Sequence, residues 1–246
     1  MLSILTRTPL PILVLIASLI CPTELSLFLG SLRLPPHRIA ILIFVLPALW
    51  RIVVQRKARI ASYDVLFLCY NLWSVSVFMI HLGSSDGLEF GGALALESFG
   101  GYLIARAYVR DYDEFRATLR CLFLAVLVLG SIALPEALLG QHFVHDWLAK
   151  VTGYHHPVDL EYRLGMLRAY ATMDHPILYG TFCASIMALL WFTNDRKSQR
   201  AIRAGIVCGA TFLGLSSAPL LCLGVQGAIM GWEKLTRKVD GRTQMT

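Results

Sequence analysis

The amino-acid sequence predicts an all-α membrane protein: a bundle of seven or eight transmembrane helices with one larger outer loop. The 246 residues are 56% hydrophobic and only 15% charged, whereas soluble domains usually carry about 25% charged residues. The apolar residues fall in blocks of the length that crosses a bilayer, and the mean hydropathy is +0.62. A soluble domain of this length could not bury so much apolar surface. We therefore expect one integral membrane domain over residues 1–246, in contact with the lipid bilayer.

Six apolar blocks are predicted to cross the membrane once each. They run from Pro9 to about Leu29, Ile39 to Val54, Val65 to Leu82, Phe90 to Val109, Leu119 to Leu139, and Pro176 to Phe192. The last apolar run, Ala204 to Trp232, is too long for one comfortable span and too short for two full ones. Its centre reads Ser-Ser-Ala-Pro at 216–219, which favours a turn between two short spans over one long, kinked helix.

The basic residues predict the orientation, because cytoplasmic loops of membrane proteins are enriched in lysine and arginine. With the N-terminus inside, all but five of the 22 Lys and Arg residues lie on the inner side. The five on the outer side are Arg33, Arg38, Lys150, Arg163 and Arg168. We expect a multi-pass protein with a cytoplasmic N-terminus and a cytoplasmic tail over residues 233–246.

One outer loop, from about residue 140 to 175, is much longer than the other connections. Its first part places Phe143, Trp147, Leu148 and Val151 on one face of a short helix. Such a helix suits the membrane surface, with the tryptophan at the level of the lipid headgroups. The alternative is a short helix packed on the spans.

Two residues at the end of this loop are candidates for chemistry. Arg168 and His175 lie just before the chain re-enters the membrane at Pro176. An arginine at an outer membrane surface can hold an anionic group, such as a lipid-linked diphosphate, through its forked donors. The alternative is contact with lipid headgroups or with a loop carboxylate such as Asp174. Arg163 is a second cation on the same surface.

Glu97 is interpreted as the one carboxylate well inside a span, roughly 9 Å below its outer end at 1.5 Å per residue. Acids inside a membrane are costly, and they are usually paired or functional. Glu97 therefore has either a structural partner or a functional role. Four glycines around it should allow close approach of helices: Gly91, Gly92, Gly100 and Gly101.

The sequence does not favour a metal, cofactor or nucleic-acid site. His155 and His156 could bind a metal with Asp159 or Asp174, but neighbouring histidines point in different directions and no metal-binding spacing occurs. The net charge of +6 does not indicate nucleic-acid binding, because the basic residues lie at the ends of the apolar blocks.

Three segments resemble one family. Residues 168–180, Arg-Ala-Tyr-Ala-Thr-Met-Asp-His-Pro-Ile-Leu-Tyr-Gly, are similar to the R-x-x-G-T-F-x-[NH]-P motif of the O-antigen ligase and polysaccharide polymerase superfamily. Residues 97–106 resemble a helix of its exopolysaccharide-associated members, and residues 215–221 fall where the family often carries S-R-G. The chain departs from the motif at Ala171, usually glycine, and at Met173, usually phenylalanine; Ser217 stands where arginine is frequent.

The resemblance implies glycan transfer from undecaprenyl diphosphate at the periplasmic face of a bacterial inner membrane. No metal or nucleotide sugar would be required. Arg168 would be catalytic and bind the diphosphate, Arg163 would bind the same substrate, and His175 would orient a phosphate or an acceptor hydroxyl, or cap the next helix. The family usually has more spans and a second large periplasmic loop with further catalytic residues. The chain is therefore expected to be the N-terminal portion of a larger family fold.

Two other functions remain open from the sequence. One is an inactive, truncated remnant or a partner subunit within a polysaccharide assembly complex, bound to other membrane proteins. The other is a small membrane transporter, although internal repeats and several charged residues near the midplane, which transporters usually show, are not found in the sequence.

Overall fold

The fold is known from a computed structural model, which describes residues 7–30, 32–56, 59–154, 160–193 and 197–236. The all-α class is confirmed, since the described residues are helical apart from short turns and two small β-ribbons. The first part of the chain contains α1 (Leu10–Leu19), β1 (Leu27–Leu29), β2 (Leu32–Leu34), α2 (Pro36–Val53), α3 (Ser62–Leu82), α4 (Ser84–Ala95) and α5 (Gly101–Tyr108). The second part contains α6 (Tyr112–Leu139), α7 (Phe143–Thr152), β3 (Tyr162–Arg163), β4 (Met166–Leu167), α8 (Pro176–Ser185), α9 (Met187–Thr193), α10 (Lys197–Leu213) and α11 (Ser217–Thr236).

Four helical segments within the described ranges are long and apolar enough to cross a membrane. They are Pro36–Val53, Ser62–Leu82, Tyr112–Leu139 and Pro176–Thr193. Each overlaps a predicted span. Their length and apolar composition suit a lipid bilayer.

The first predicted span differs from the structure, because α1 ends at Leu19 instead of continuing to about Leu29. Pro22 follows, which cannot continue the helix, and Glu24 brings a carboxyl group into the apolar block, where it is costly in a membrane. The chain instead forms a single 3-10 turn, Thr23–Leu25. It then enters the antiparallel ribbon of β1 and β2, in which Leu27 is paired with Leu34. The apolar residues after Pro22 therefore belong to a ribbon and not to the helix.

The chain divides into two compact units, Met1–Cys121 and Leu122–Thr246. In the first unit, α3 and α4 form an antiparallel hairpin that turns at Gly83, whose φ of 88° suits only glycine. A π-helical turn, Leu96–Gly100, continues α4 into α5. Helix α2 packs against α1 and α5. Its buried Ala40, Ile41 and Ala48 form one stripe of the helix.

In the second unit, α8 packs against both α10 and α11. Gly180 makes this contact possible, since a Cβ there would lie 2.7 Å from Cγ of Pro219. Helix α10 ends at Leu213, and α11 begins at Ser217. The predicted break in the last apolar run is therefore confirmed as two helices.

The amphipathic helix predicted at the start of the outer loop is α7. It ends where Gly153 adopts a left-handed conformation with φ of 71°, the usual glycine stop signal. Leu148 is buried, whereas Trp147 and Val151 are exposed. The helix therefore packs on the protein through Leu148 and leaves an apolar strip exposed, and its position at the membrane surface stays a prediction.

Of the four glycines singled out around Glu97, two face a neighbouring helix. A Cβ at Gly91 would lie 3.1 Å from Phe78, and a Cβ at Gly100 would lie 2.5 Å from Ile41. Gly92 and Gly101 have open space around them. The tightest approach in this unit is at Gly87, where a Cβ would lie 2.4 Å from Cα of Met79.

We predict that Gly87→Ala destabilises the first unit by about 2 kcal/mol, because the new methyl group would overlap backbone that cannot move aside cheaply. Gly92→Ala lies on the same helix in open space, so it should be neutral or slightly stabilising. Thermal unfolding of the two variants in detergent micelles measures the difference. Equal melting temperatures would contradict the close packing of α3 on α4.

Candidate functional site

The segment after β4, residues 168–175, is irregular and largely buried. Ala169 and Ala171 have no exposed surface, and Arg168 and Thr172 are almost as deeply buried. A buried segment outside helix or sheet must find other partners for its backbone N–H and C=O groups. The contacts that satisfy these groups determine where Arg168 lies.

The backbone of this segment bonds to three other parts of the second unit. The Arg168 N–H donates to the carbonyl of Glu161 at 2.9 Å, and the Ala169 N–H donates to the carbonyl of Leu213 at 3.1 Å. The Ala171 N–H donates to Oε2 of Glu136 at 2.9 Å. The segment is therefore anchored to the β3–β4 hairpin, to the break between α10 and α11, and to the end of α6.

The β3–β4 hairpin brings the side chain of Arg168 to a carboxylate. Its two-residue turn, Leu164–Gly165, has positive φ at both positions, which gives the twist that tight hairpins favour. Sequence analysis missed this hairpin, because leucine is an unusual residue at the first turn position. The turn reverses the chain so that Glu161 lies beside Arg168.

The guanidinium of Arg168 forms an ion pair with Glu161 through Nη1. The Arg168 side chain is only 5% exposed, whereas that of Glu161 is 50% exposed. Burial lowers the pKa of Arg168. The ordinary pKa of arginine is so high that the side chain stays charged. The loop carboxylate proposed from the sequence was Asp174, and the ion pair seen is with Glu161. Nε of Arg168 is buried and has no hydrogen-bond partner among the described residues.

Arg163 and His175, the other predicted site residues, are exposed. Nη1 of Arg163 donates to the carbonyl of Leu215 at 3.3 Å. Arg163 therefore contacts the break between α10 and α11. This break opens residues 215–221, another of the segments that resemble the family. His175 is the N-cap of α8, and its Nδ1 accepts the backbone N–H of Ile177 at 3.1 Å. The capping role considered for His175 is therefore present.

Glu136 is the residue that sequence analysis missed. It lies three residues before the end of α6 and within the predicted span from Leu119 to Leu139, although Glu97 was interpreted as the one carboxylate well inside a span. Its side chain has no exposed surface. Oε2 accepts the N–H groups of Ala171 and, at 3.4 Å, of Tyr170. No local sequence signal marks this contact, because its partners lie 34 and 35 residues further along the chain.

Two buried histidines cover the same carboxylate. Nδ1 of His142 lies 3.5 Å from Oε2 of Glu136. The rings of His142 and His145 pack on the ring of Tyr170, with centroid distances of 4.1 Å and 4.9 Å. These contacts separate Glu136 from solvent and fix Tyr170, the neighbour of Ala171.

Ala171 adopts a left-handed conformation with φ of 56°. For an L-residue this conformation costs about 1–2 kcal/mol, whereas glycine adopts it freely. Ala171 is also the position at which the resembled motif usually carries glycine. The departure from the motif thus falls at a backbone position that glycine would occupy without strain.

Glu97, in the first unit, has partners. Its Oε1 accepts hydrogen bonds from Nε of Arg38 at 2.5 Å and lies 3.1 Å from Nε2 of His37. The pair is half-buried, with side-chain exposures of 23% for Arg38 and 30% for Glu97. The structural partner considered from the sequence is therefore present, and it joins the π-helical turn to the start of α2.

Further polar contacts fasten the same turn and α5 to α3. Ser98 donates to the side chain of Asn71, and Tyr102 donates to the carboxylate of Asp64. Nε of Arg106 lies 3.3 Å from the same carboxylate oxygen. These pairs hold helices together where lipid offers no partners for polar groups.

Within the described ranges, no group of three or more histidine, cysteine, aspartate or glutamate residues could hold a metal ion. The pair His155 and His156, considered as ligands with Asp159, lies outside the described residues. Comparison with known proteins finds no matching family model, no similar curated protein and no similar solved structure.

We predict that Glu97→Leu destabilises the first unit by about 2 kcal/mol, because it leaves the Arg38 guanidinium half-buried without its carboxylate. Arg38→Met combined with Glu97→Leu should recover most of the loss, since no charge is then left unpaired. Unfolding of the single and double variants in detergent gives the coupling energy. Additive losses would show that the ion pair contributes nothing to stability.

Proposed function

We propose that this chain transfers glycan from undecaprenyl diphosphate at the periplasmic face of a bacterial inner membrane, as an O-antigen ligase or polysaccharide polymerase does. The observation that carries the proposal is Arg168, a buried arginine at the start of the segment that leads into α8. It lies in a segment held by backbone contacts on three sides. The resemblance of residues 168–180 to the family motif supplies the substrate class.

The proposed topology has seven or eight spans and a cytoplasmic N-terminus. Beyond the four long apolar segments, the first apolar block that contains α1, the continuous stretch of α4 and α5, and the two helices α10 and α11 supply further crossings. The distribution of basic residues supports this orientation. The loop over residues 140–175, with α7 on the membrane surface, then lies in the periplasm.

The proposed chemistry uses the cation of Arg168. During glycosyl transfer the oxygen of an acceptor hydroxyl bonds to the sugar's anomeric carbon and gives up its proton to a base. The bond from that carbon to a diphosphate oxygen breaks, and negative charge grows on the departing diphosphate. A guanidinium held in place stabilises that charge without having to reorganise. Without substrate, the carboxylate of Glu161 pairs with Nη1 of Arg168. A diphosphate oxygen would replace the Glu161 carboxylate there. Arg163 adds a second positive charge at the same surface, and His175 lies beside the entry to α8.

The topology predicts which positions are reached from outside the cell membrane. In a variant without native cysteines, a cysteine replacing Lys150 should react with a membrane-impermeant maleimide in spheroplasts. Cysteines replacing Arg110 or Lys234 should react only after the membrane is opened. Labelling of the Arg110 position from outside would overturn the orientation, and labelling of the Lys234 position would show an odd number of crossings after α9.

We predict that Arg168→Ala weakens binding of undecaprenyl diphosphate to the protein in nanodiscs about thirtyfold, or 2 kcal/mol, and abolishes glycan transfer in cells. Glu161→Gln should tighten binding about fivefold, because it removes the competing carboxylate. Arg33→Ala, an arginine of the first unit on the same side of the membrane, is the control and should bind normally. Unchanged affinity in Arg168→Ala would refute the role of this arginine.

A further inference from the structure

We propose that Glu136 is a positioning residue, which holds the backbone at Tyr170 and Ala171 so that Arg168 faces its anionic ligand. The ligand-binding part of this inference rests on the proposed function. The positioning part rests only on contacts within the second unit. Glu136 touches neither Arg168 nor the expected substrate, and it acts through the chain between them.

The burial of Glu136 is the first reason for this inference. A fully buried carboxylate is costly unless hydrogen-bonded donors compensate its charge. The donors seen are the backbone N–H groups of Tyr170 and Ala171, both on Oε2, and Nδ1 of His142 lies 3.5 Å from the same oxygen. Hydrogen bonds to an ionised acceptor are about twice as strong as neutral ones. Oε2 of Glu136 therefore accepts from two consecutive peptide groups.

The backbone that donates to Glu136 is strained. Ala171 has φ of 56°, a conformation that an L-residue avoids unless its surroundings impose it. The Ala171 N–H is the shorter of the two bonds to Glu136. The carboxylate thus compensates the cost of this conformation at the residue where the cost arises.

The same backbone sets the position of Arg168. Between Arg168 and Ala171 the chain is fixed at Ala169 by the carbonyl of Leu213 and at Arg168 by the carbonyl of Glu161. If residues 170 and 171 were released, the segment would be held at its first half only. The buried position of the guanidinium beside Glu161 would then depend on the bonds at Arg168 and Ala169 alone.

The test compares Glu136→Leu and Glu136→Gln, each with and without Ala171→Gly. Leucine removes the acceptor, whereas glutamine keeps an acceptor oxygen but loses the charge. Glycine at 171 adopts a positive φ without strain. It should therefore restore the backbone without restoring the carboxylate. If the Glu136 side chain merely filled space, Ala171→Gly, 35 residues further along the chain, would not compensate for its loss.

Three quantities are measured on the full chain in nanodiscs: the rate at which phenylglyoxal modifies Arg168, hydrogen exchange at the amides of residues 170 and 171, and the affinity for undecaprenyl diphosphate. In Glu136→Leu we expect modification and exchange at least tenfold faster and affinity at least tenfold weaker. Adding Ala171→Gly should reverse at least half of each change on a logarithmic scale. Glu136→Gln should change each quantity about threefold, and Glu24→Leu, a buried glutamate of the first unit, should change none.

Each outcome decides the inference. Unchanged modification and exchange in Glu136→Leu, or no recovery with Ala171→Gly, would overturn it. If Glu136→Leu does not fold, Glu136→Gln with and without Ala171→Gly decides in the same way. If the unaltered chain does not bind undecaprenyl diphosphate while modification of Arg168 still follows the expected pattern, the proposed function fails and the positioning role stands. If binding is strong and equal in all variants, the positioning role fails and the function stands.

Discussion

The buried carboxylate of Glu136 is the interaction on which the rest of the candidate site depends. A segment that is neither helix nor strand can remain buried only if its peptide groups are satisfied by other parts of the protein. At residues 170 and 171 that partner is one buried carboxyl group near the end of α6. The segment in turn links the β3–β4 hairpin to the break between α10 and α11. Elements that are far apart in the sequence are thereby joined around one arginine.

Each unit contains a glutamate that links separate parts of the chain, and the two glutamates do so in different ways. In the first unit, Glu97 joins the π-helical turn to α2 by pairing with the side chain of Arg38, so two helices are linked through a pair of opposite charges. In the second unit, Glu136 accepts from backbone N–H groups, so it fixes a backbone conformation and not a neighbouring side chain. The first arrangement suits a rigid scaffold of helices. The second arrangement suits a loop whose shape must be kept where regular structure is absent.

Much of the fold could be predicted, because apolar length and helical periodicity are local properties. The spans around α2, α3, α6 and α8 followed from length alone, and the break before Ser217 followed from turn-forming residues. The site was predicted only in part. Arg168 was found through its position beside a span, but its partner Glu161 depends on an unusual Leu-Gly turn. Glu136 gave no signal, because its partners lie more than thirty residues away and a carboxylate near a helix end is ordinary.

The cap that His175 forms on α8 limits the chemistry open to its ring. Because Nδ1 accepts a backbone N–H, a neutral imidazole must carry its proton on Nε2. While the cap is intact, the exposed edge of the ring is therefore a hydrogen-bond donor. It can bind a phosphate or carbonyl oxygen, but it cannot remove a proton from an attacking hydroxyl while the cap is intact. A general base for glycosyl transfer would have to be another group, or α8 would have to give up its cap during the reaction.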